Sequence, residues 1–152
     1  MSIVLMDTSV FCNVIDVPGF NQDRDSVLTE LGNLIQRRDT LLLPMAAVLE
    51  TGNHIAQVAG GGGVRRKVAQ RFCDNVSMAI DGTLPWTPTP FWETEDLKGW
   101  LSDFPDHAMR GVGMGDLSII KEWERQCDLF PRRRVTVWSL DGDLQGYDQK
   151  AK

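Results

Sequence analysis

The run Ile3-Val4-Leu5-Met6, closed by Asp7, constrains the fold of this chain more than any other stretch. Four apolar residues without polar alternation describe a strand buried on both faces, and such strands belong to parallel sheets covered by helices. The expected fold class is therefore α/β. Asp7 then stands at the carboxyl end of the first strand, where open α/β sheets bind their ligands. A second reading is open at this position, because Asp is also a favoured N-cap for a helix beginning at Thr8.

Beyond Asp7 the pattern alternates helices with short apolar runs. A short helix is expected over Thr8–Ile15, ended by Val17-Pro18-Gly19. Val27, Leu28, Leu31, Leu34 and Ile35 recur at helical spacing between Asp25 and Arg38. Thr40–Leu43 reads as a second strand, and Pro44 suits the first turn of a helix running through Val58. Glu50, Asn53, His54 and Gln57 share one face of that helix, which reads as a solvated polar stripe. The four glycines Gly60–Gly63 lack the GK[ST] ending of a phosphate-binding loop and read as a hinge. The helix expected over Val64–Ile80 displays Arg65, Arg66, Lys67 and Arg71 away from its apolar face; these are the candidate RNA-phosphate contacts, against the plainer reading of a solvated basic face.

Asp81–Trp92 is too interrupted by proline for a central strand, and reads as a loop packing Trp86, Phe91 and Trp92 over the core or against a partner. Glu93–Phe104 reads as a helix and Pro105–Gly115 as a loose segment. Asp116 opens a further helical pattern, where a capping role is the plain reading. Val135, Val137 and Leu140 mark a last buried strand that runs into Asp141 and Asp143.

At 152 residues the chain fits a single domain, residues 1–152, able to bury roughly two thirds of its unfolded surface. A formal net charge of −5 argues against binding nucleic acid by bulk charge, so a polyanion would have to be met locally. Cys12, Cys73 and Cys127 form no CxxC pair, which indicates neither a zinc knuckle nor a disulfide framework and suggests a reducing cytosol. No apolar stretch approaches the ~20 residues of a membrane span. A cytoplasmic protein with no membrane association is the expectation.

With 21 acidic residues in the chain, a single carboxylate says little; their contexts say more. Asp7 and Asp141 end strands, Glu50 interrupts an apolar helix, and Asp116 follows glycines at a helix start, so all four can converge at the carboxyl edge of one sheet. Like charges about 4 Å apart at an effective dielectric near 20 repel by roughly 4 kcal/mol, so a pocket of ionised carboxylates needs a cation. All-oxygen ligands select Mg²⁺ or Mn²⁺ over zinc. One such ion can activate water for attack on a phosphodiester, and two can also steady the leaving oxygen.

These stretches resemble the PIN-domain family of metal-dependent ribonucleases along almost the whole chain. MDTSVF is similar to that family's strand-ending Asp and following hydroxyl residue, and LLLPMAAVLETGNHI to the strand and helix that carry its Glu. GVGMGDLSII resembles the start of its later acidic helix, and VTVWSLDGDL its terminal strand and Asp. The resemblance implies a three-layer α/β/α fold with a central parallel sheet, and catalytic residues Asp7, Glu50, Asp116 and Asp141. It implies a Mg²⁺ site, with Mn²⁺ as substitute, made by Asp7, Asp116, Asp141 and Asp143, where Asp141 and Asp143 compete for the last place. RNA is the implied substrate. Many free-standing members are toxins of type II toxin–antitoxin pairs, VapC-like, so an antitoxin partner is expected, and a homodimer is compatible with the pattern. One departure stands out: Lys121, Glu122 and Trp123 follow Asp116 where the family usually carries small apolar residues.

Two alternatives compete. A non-catalytic RNA-binding module would use the basic helix and Arg132–Arg134, but would gain nothing from clustered carboxylates. A haloacid-dehalogenase-type phosphatase is suggested by GDLQGYD at Gly142–Asp148, yet that family wants a second Asp where this chain has Ser9.

Overall fold

The computed structural model describes residues 1–152. Its five-stranded sheet has the order β3-β2-β1-β4-β5, where β1 is Ile3–Met6, β2 Thr40–Leu43, β3 Trp86–Pro88, β4 Val135–Trp138 and β5 Asp148–Gln149. Six helices flank it: α1 Thr8–Val14, α2 Arg24–Gln36, α3 Met45–Ala56, α4 Gly62–Ile80, α5 Thr94–Met109 and α6 Met114–Leu129.

The central strand explains the layering. All four residues of β1 are buried, and because side chains alternate across a strand they feed two cores. Val4 and Met6 join the large core built with α1, α2, α3 and α4, in which Phe11, Val27, Leu31, Leu34, Ile55 and Val68 are buried. Ile3 and Leu5 point the other way, to Cys127 and Trp123 of α6 and to Val135. The result is the three-layer α/β/α arrangement expected of a strand apolar on both faces.

Strand β1 pairs in parallel with β2 and with β4, and β2 in parallel with β3. Only β5 runs antiparallel, against β4, so the sheet is mixed rather than wholly parallel. Two residues of β5 carry no periodicity that a sequence could show. β3 corrects the loop expected over Asp81–Trp92: its three residues form an edge strand, the one place where a proline-flanked segment can pair. Trp86 there is buried, and Phe91 is 67% exposed.

The segment expected to be loose, Pro105–Gly115, is so only over Arg110–Gly113: α5 continues through Pro105 to Met109, and α6 begins at Met114. Proline removes one hydrogen bond to the carbonyl four residues back, and that residue, Leu101, is exposed and open to water. Gly62 and Gly63 belong to α4 rather than to a hinge, while Gly61 at φ +89° and Gly60 at φ +104° make the turn before it. Lys121, Glu122 and Trp123 each find a hydrogen-bond partner. Lys121 Nζ donates to Asp103 of α5 at 2.6 Å, buried Glu122 accepts from Gln126 at 2.8 Å, and Trp123 Nε1 donates to the Val135 carbonyl at 3.0 Å. No helix is long and apolar enough to cross a membrane.

Candidate metal centre

The carboxyl ends of β1 and β4 lie side by side, joined by the Asp7 amide donating to the Trp138 carbonyl at 3.0 Å. Asp7 occupies the N-cap position of α1, yet its side chain makes no capping bond. The residue is 3% exposed, and its Oδ2 accepts from Ser9 Oγ at 2.9 Å and from Ser139 Oγ at 2.7 Å. The same two hydroxyls accept in turn from the loop after β4: Ser9 Oγ from the Leu140 amide at 3.0 Å, Ser139 Oγ from the Asp141 amide at 2.9 Å. One oxygen of Asp7 is thereby fixed by two short bonds to hydroxyl donors.

Glu50 projects from the second turn of α3. Thr8 Oγ1 donates to its Oε2 at 3.1 Å, and His54 Nε2, one turn on, lies 3.9 Å from Oε1. Gly115 at the start of α6 lies against Glu50: a Cβ there would stand 3.5 Å from Oε2, an ordinary van der Waals contact. Asp116 is the third residue of α6, whose N-cap is Gly113, and so has no capping position. It is half-buried, and its carboxyl is pushed up to about 6, first by burial and then by Asp7, Asp141, Glu50 and Asp143 in that order. All four other candidate acids add to this rise.

Asp141 caps the short turn Gly142–Leu144, its Oδ1 accepting from the Asp143 amide at 3.0 Å, and buried Leu144 anchors that turn. One carboxylate oxygen from each of Asp116, Asp141 and Asp143 lies within 4.8 Å of the others. Asp7, Glu50, Asp116 and Asp141 line a single open cleft of about 270 Å³. The two sets share Asp116 and Asp141, and Asp143 approaches that pair from outside the cleft lining. Asp141 and Asp143 thus do not exclude one another.

None of the five carboxylates is paired with lysine or arginine; the one ion pair that reaches them is His54 with Glu50, and the others lie elsewhere. Such a group of acids, all oxygen donors and mutually repelling, fits a hard divalent cation. Thiolate chemistry does not fit. Cys12 lines the cleft, but burial pushes its thiol up to about 11 against the bond from its sulfur to Thr51, with Asp7 and Glu50 adding to the rise.

The basic candidates fall outside the cleft. Arg65 donates to the Val58 carbonyl at 3.2 Å, and Arg71 to the carbonyls of Ile15 and Asp16. Arg66 and Lys67 are exposed on α4. Asp148, the acid of the phosphatase-like motif, sits on β5, accepting from Arg134 at 2.8 and 2.7 Å and from Thr136 at 2.9 Å; Arg134 holds it below the usual carboxylate range.

Other residues of the cleft were not singled out in the sequence. His54, read as part of a solvated stripe, lines the cleft and stacks on Phe20 with ring centroids 4.3 Å apart. Ser9 and Ser139 each stand two residues from an acid, a spacing that is visible in the sequence, but their convergence on one oxygen spans 130 residues.

No protein-family model, no curated protein and no solved structure matches the chain.

Proposed function

We propose that the chain is a Mg²⁺-dependent endoribonuclease of the PIN type, hydrolysing RNA phosphodiester bonds. The observation that carries the reading is the gathering of Asp7, Glu50, Asp116 and Asp141, from four separate segments, in one cleft at the strand carboxyl ends without a lysine or arginine partner. Carboxylates held together this way cost stability unless a ligand uses them.

In this reading Asp7, Asp116 and Asp141 hold the cation, with Asp143 reinforcing the Asp116–Asp141 pair, and Mn²⁺ can replace Mg²⁺. The bound cation supplies an activated water and charge neutralisation for the phosphate. Ser9 and Ser139 orient the Asp7 carboxylate. Thr8 fixes Glu50 Oε2 and leaves Oε1 as the cleft's proton acceptor. The carboxylates repel an RNA phosphate from a metal-free cleft, so substrate binding and metal binding go together.

An inhibitory protein of the antitoxin kind belongs to the same proposal, supported by an apolar groove of Leu49, Phe91, Trp92, Leu97 and Trp100. A neighbouring cleft shares Leu49 and Trp100 with it and reaches Glu50 and Asp116. The non-catalytic RNA-binding alternative leaves the acid cluster without a use.

The test is incubation of end-labelled single-stranded RNA with the purified protein in Mg²⁺, in EDTA, and with Asp7→Asn in Mg²⁺. Cleavage by the wild type in Mg²⁺ alone supports the proposal. Equal cleavage in EDTA, or by Asp7→Asn, refutes it.

A further inference from the structure

The metal-binding acids occupy only part of the cleft; its other wall comes from the segment between α1 and α2. Phe20 on this segment stacks on His54 of α3, with centroids 4.3 Å apart and planes inclined by 25°. Both rings line the cleft that holds Asp7, Glu50, Asp116 and Asp141.

This wall is built rather than slack. Asp16 at φ +61° and Gly19 at φ +85° reverse the chain, a conformation that costs a non-glycine residue energy unless neighbours enforce it. They do so here: Arg71 Nε donates to the Ile15 carbonyl at 2.9 Å and its Nη2 to that of Asp16, while Asn21 Nδ2 donates to Asp16 Oδ1 at 2.7 Å. At the other end the Asp23 amide donates to Asn13 Oδ1 at 3.0 Å, and Arg24 to the Asn13 and Val14 carbonyls. Phe20 packs against the core and remains only partly buried.

We propose that the Phe20–His54 stack is a nucleobase subsite, which holds an unstacked base of single-stranded RNA next to the phosphodiester to be cut. The proposal rests on the nuclease reading and extends it. A flat aromatic surface accepts any base by stacking. The neighbouring polar groups fit a base better than a phosphate. Gln22 and Asp23 line the same cleft, and a carboxylate there repels phosphate while accepting from amino and imino groups at a base edge. Arg71 acts at a distance, as the brace of the wall.

The test uses a fluorescein-labelled eight-nucleotide single-stranded RNA, and a set of copies each with one abasic position. Binding is followed by anisotropy with Ca²⁺ in place of Mg²⁺, to the wild type, Phe20→Ala, Phe20→Leu and Phe20→Tyr. In the wild type one abasic position should weaken binding about tenfold, the scale of a lost base stack. Phe20→Ala and Phe20→Leu should bind the intact RNA about tenfold more weakly and show no further loss at that position, and Phe20→Tyr should behave as the wild type. Phe20→Leu keeps apolar packing, so its melting temperature separates a lost stack from a lost fold. An abasic effect that persists in Phe20→Leu, or no position-dependent effect in the wild type, overturns the subsite. Cleavage of the intact RNA in Mg²⁺ is measured in parallel. Its absence from the wild type sinks the nuclease reading; its presence with a failed abasic pattern sinks the subsite alone.

Discussion

Ser139 Oγ donates a 2.7 Å hydrogen bond to Asp7 Oδ2 across 132 residues of chain, and the same hydroxyl accepts from the amide of Asp141. One side chain therefore couples the acid at the end of β1 to the acid after β4. Ser9 makes the matching connection from the other side. The pair of hydroxyls thus ties the Asp7 carboxylate to the backbone of the loop that carries Asp141.

Ser139→Ala removes both bonds while Ser9 keeps Asp7 partly anchored. A hydrogen bond to a charged group contributes about 1.5–3 kcal/mol, and each kcal/mol shifts the melting temperature of a chain this size by roughly 2–4 °C. A melting temperature several degrees lower and RNA cleavage reduced about tenfold are expected, with Ser139→Thr restoring both. Unchanged melting and cleavage in Ser139→Ala would show that the hydroxyl does not position Asp7.

Asp116 gives a pH dependence with a definite sign. Its carboxyl is raised from 3.8 to about 6 in the folded chain, so the folded state holds the proton more tightly than the unfolded one. That contribution is fully present below pH 4 and is lost as pH rises through 6. Because the side chain is half-buried, solvent screening reduces the effect to about 1 kcal/mol. Metal-free protein should thus lose stability between pH 4 and pH 7 relative to Asp116→Asn, as read by urea unfolding. Parallel pH profiles for the two proteins would contradict the crowding of acids around Asp116.

A divalent cation should reverse that penalty. A ligand that binds only the native state stabilises it by about 2.7 kcal/mol at one hundred times its dissociation constant. Mg²⁺ or Mn²⁺ at millimolar concentration should raise the melting temperature by several degrees at pH 7, with EDTA restoring the lower value. Asp116→Asn and Asp141→Asn should each abolish most of the shift. An equal shift in these variants would place the cation elsewhere.

The sequence showed those parts of the molecule that short local patterns determine. The uninterrupted apolar run of β1 required helices on both faces, and the acids at strand and helix ends were readable because each has its own local context. The hidden parts depend on distant partners. His54 looks like one more polar residue on a helix face until the loop carrying Phe20, 34 residues earlier, is folded over it. Pro105 reads as a helix end because the solvent exposure of Leu101, which makes its free carbonyl cheap, is a tertiary property. The roles of Arg71 and Arg65 were hidden for the same reason: a basic residue aimed at backbone carbonyls has the same sequence appearance as one aimed at phosphate. Glu122, an acid on the buried face of α6, depends on Gln126 and Arg125.

The ends left on cut RNA test the central claim most directly. If the carboxylate cleft hydrolyses RNA through a cation-activated water, the attack needs no 2′-hydroxyl, and the products carry a 5′-phosphate and a 3′-hydroxyl. A metal-independent route would instead draw on the 2′-hydroxyl through a general base, and His54, 3.9 Å from Glu50 in the cleft, is the residue placed to serve it. Mass spectrometry of the primary products in Mg²⁺ should therefore give 5′-phosphate and 3′-hydroxyl ends, with the same ends from His54→Ala. A 2′,3′-cyclic phosphate that disappears in His54→Ala would contradict the account and move the chemistry from the carboxylates to the histidine.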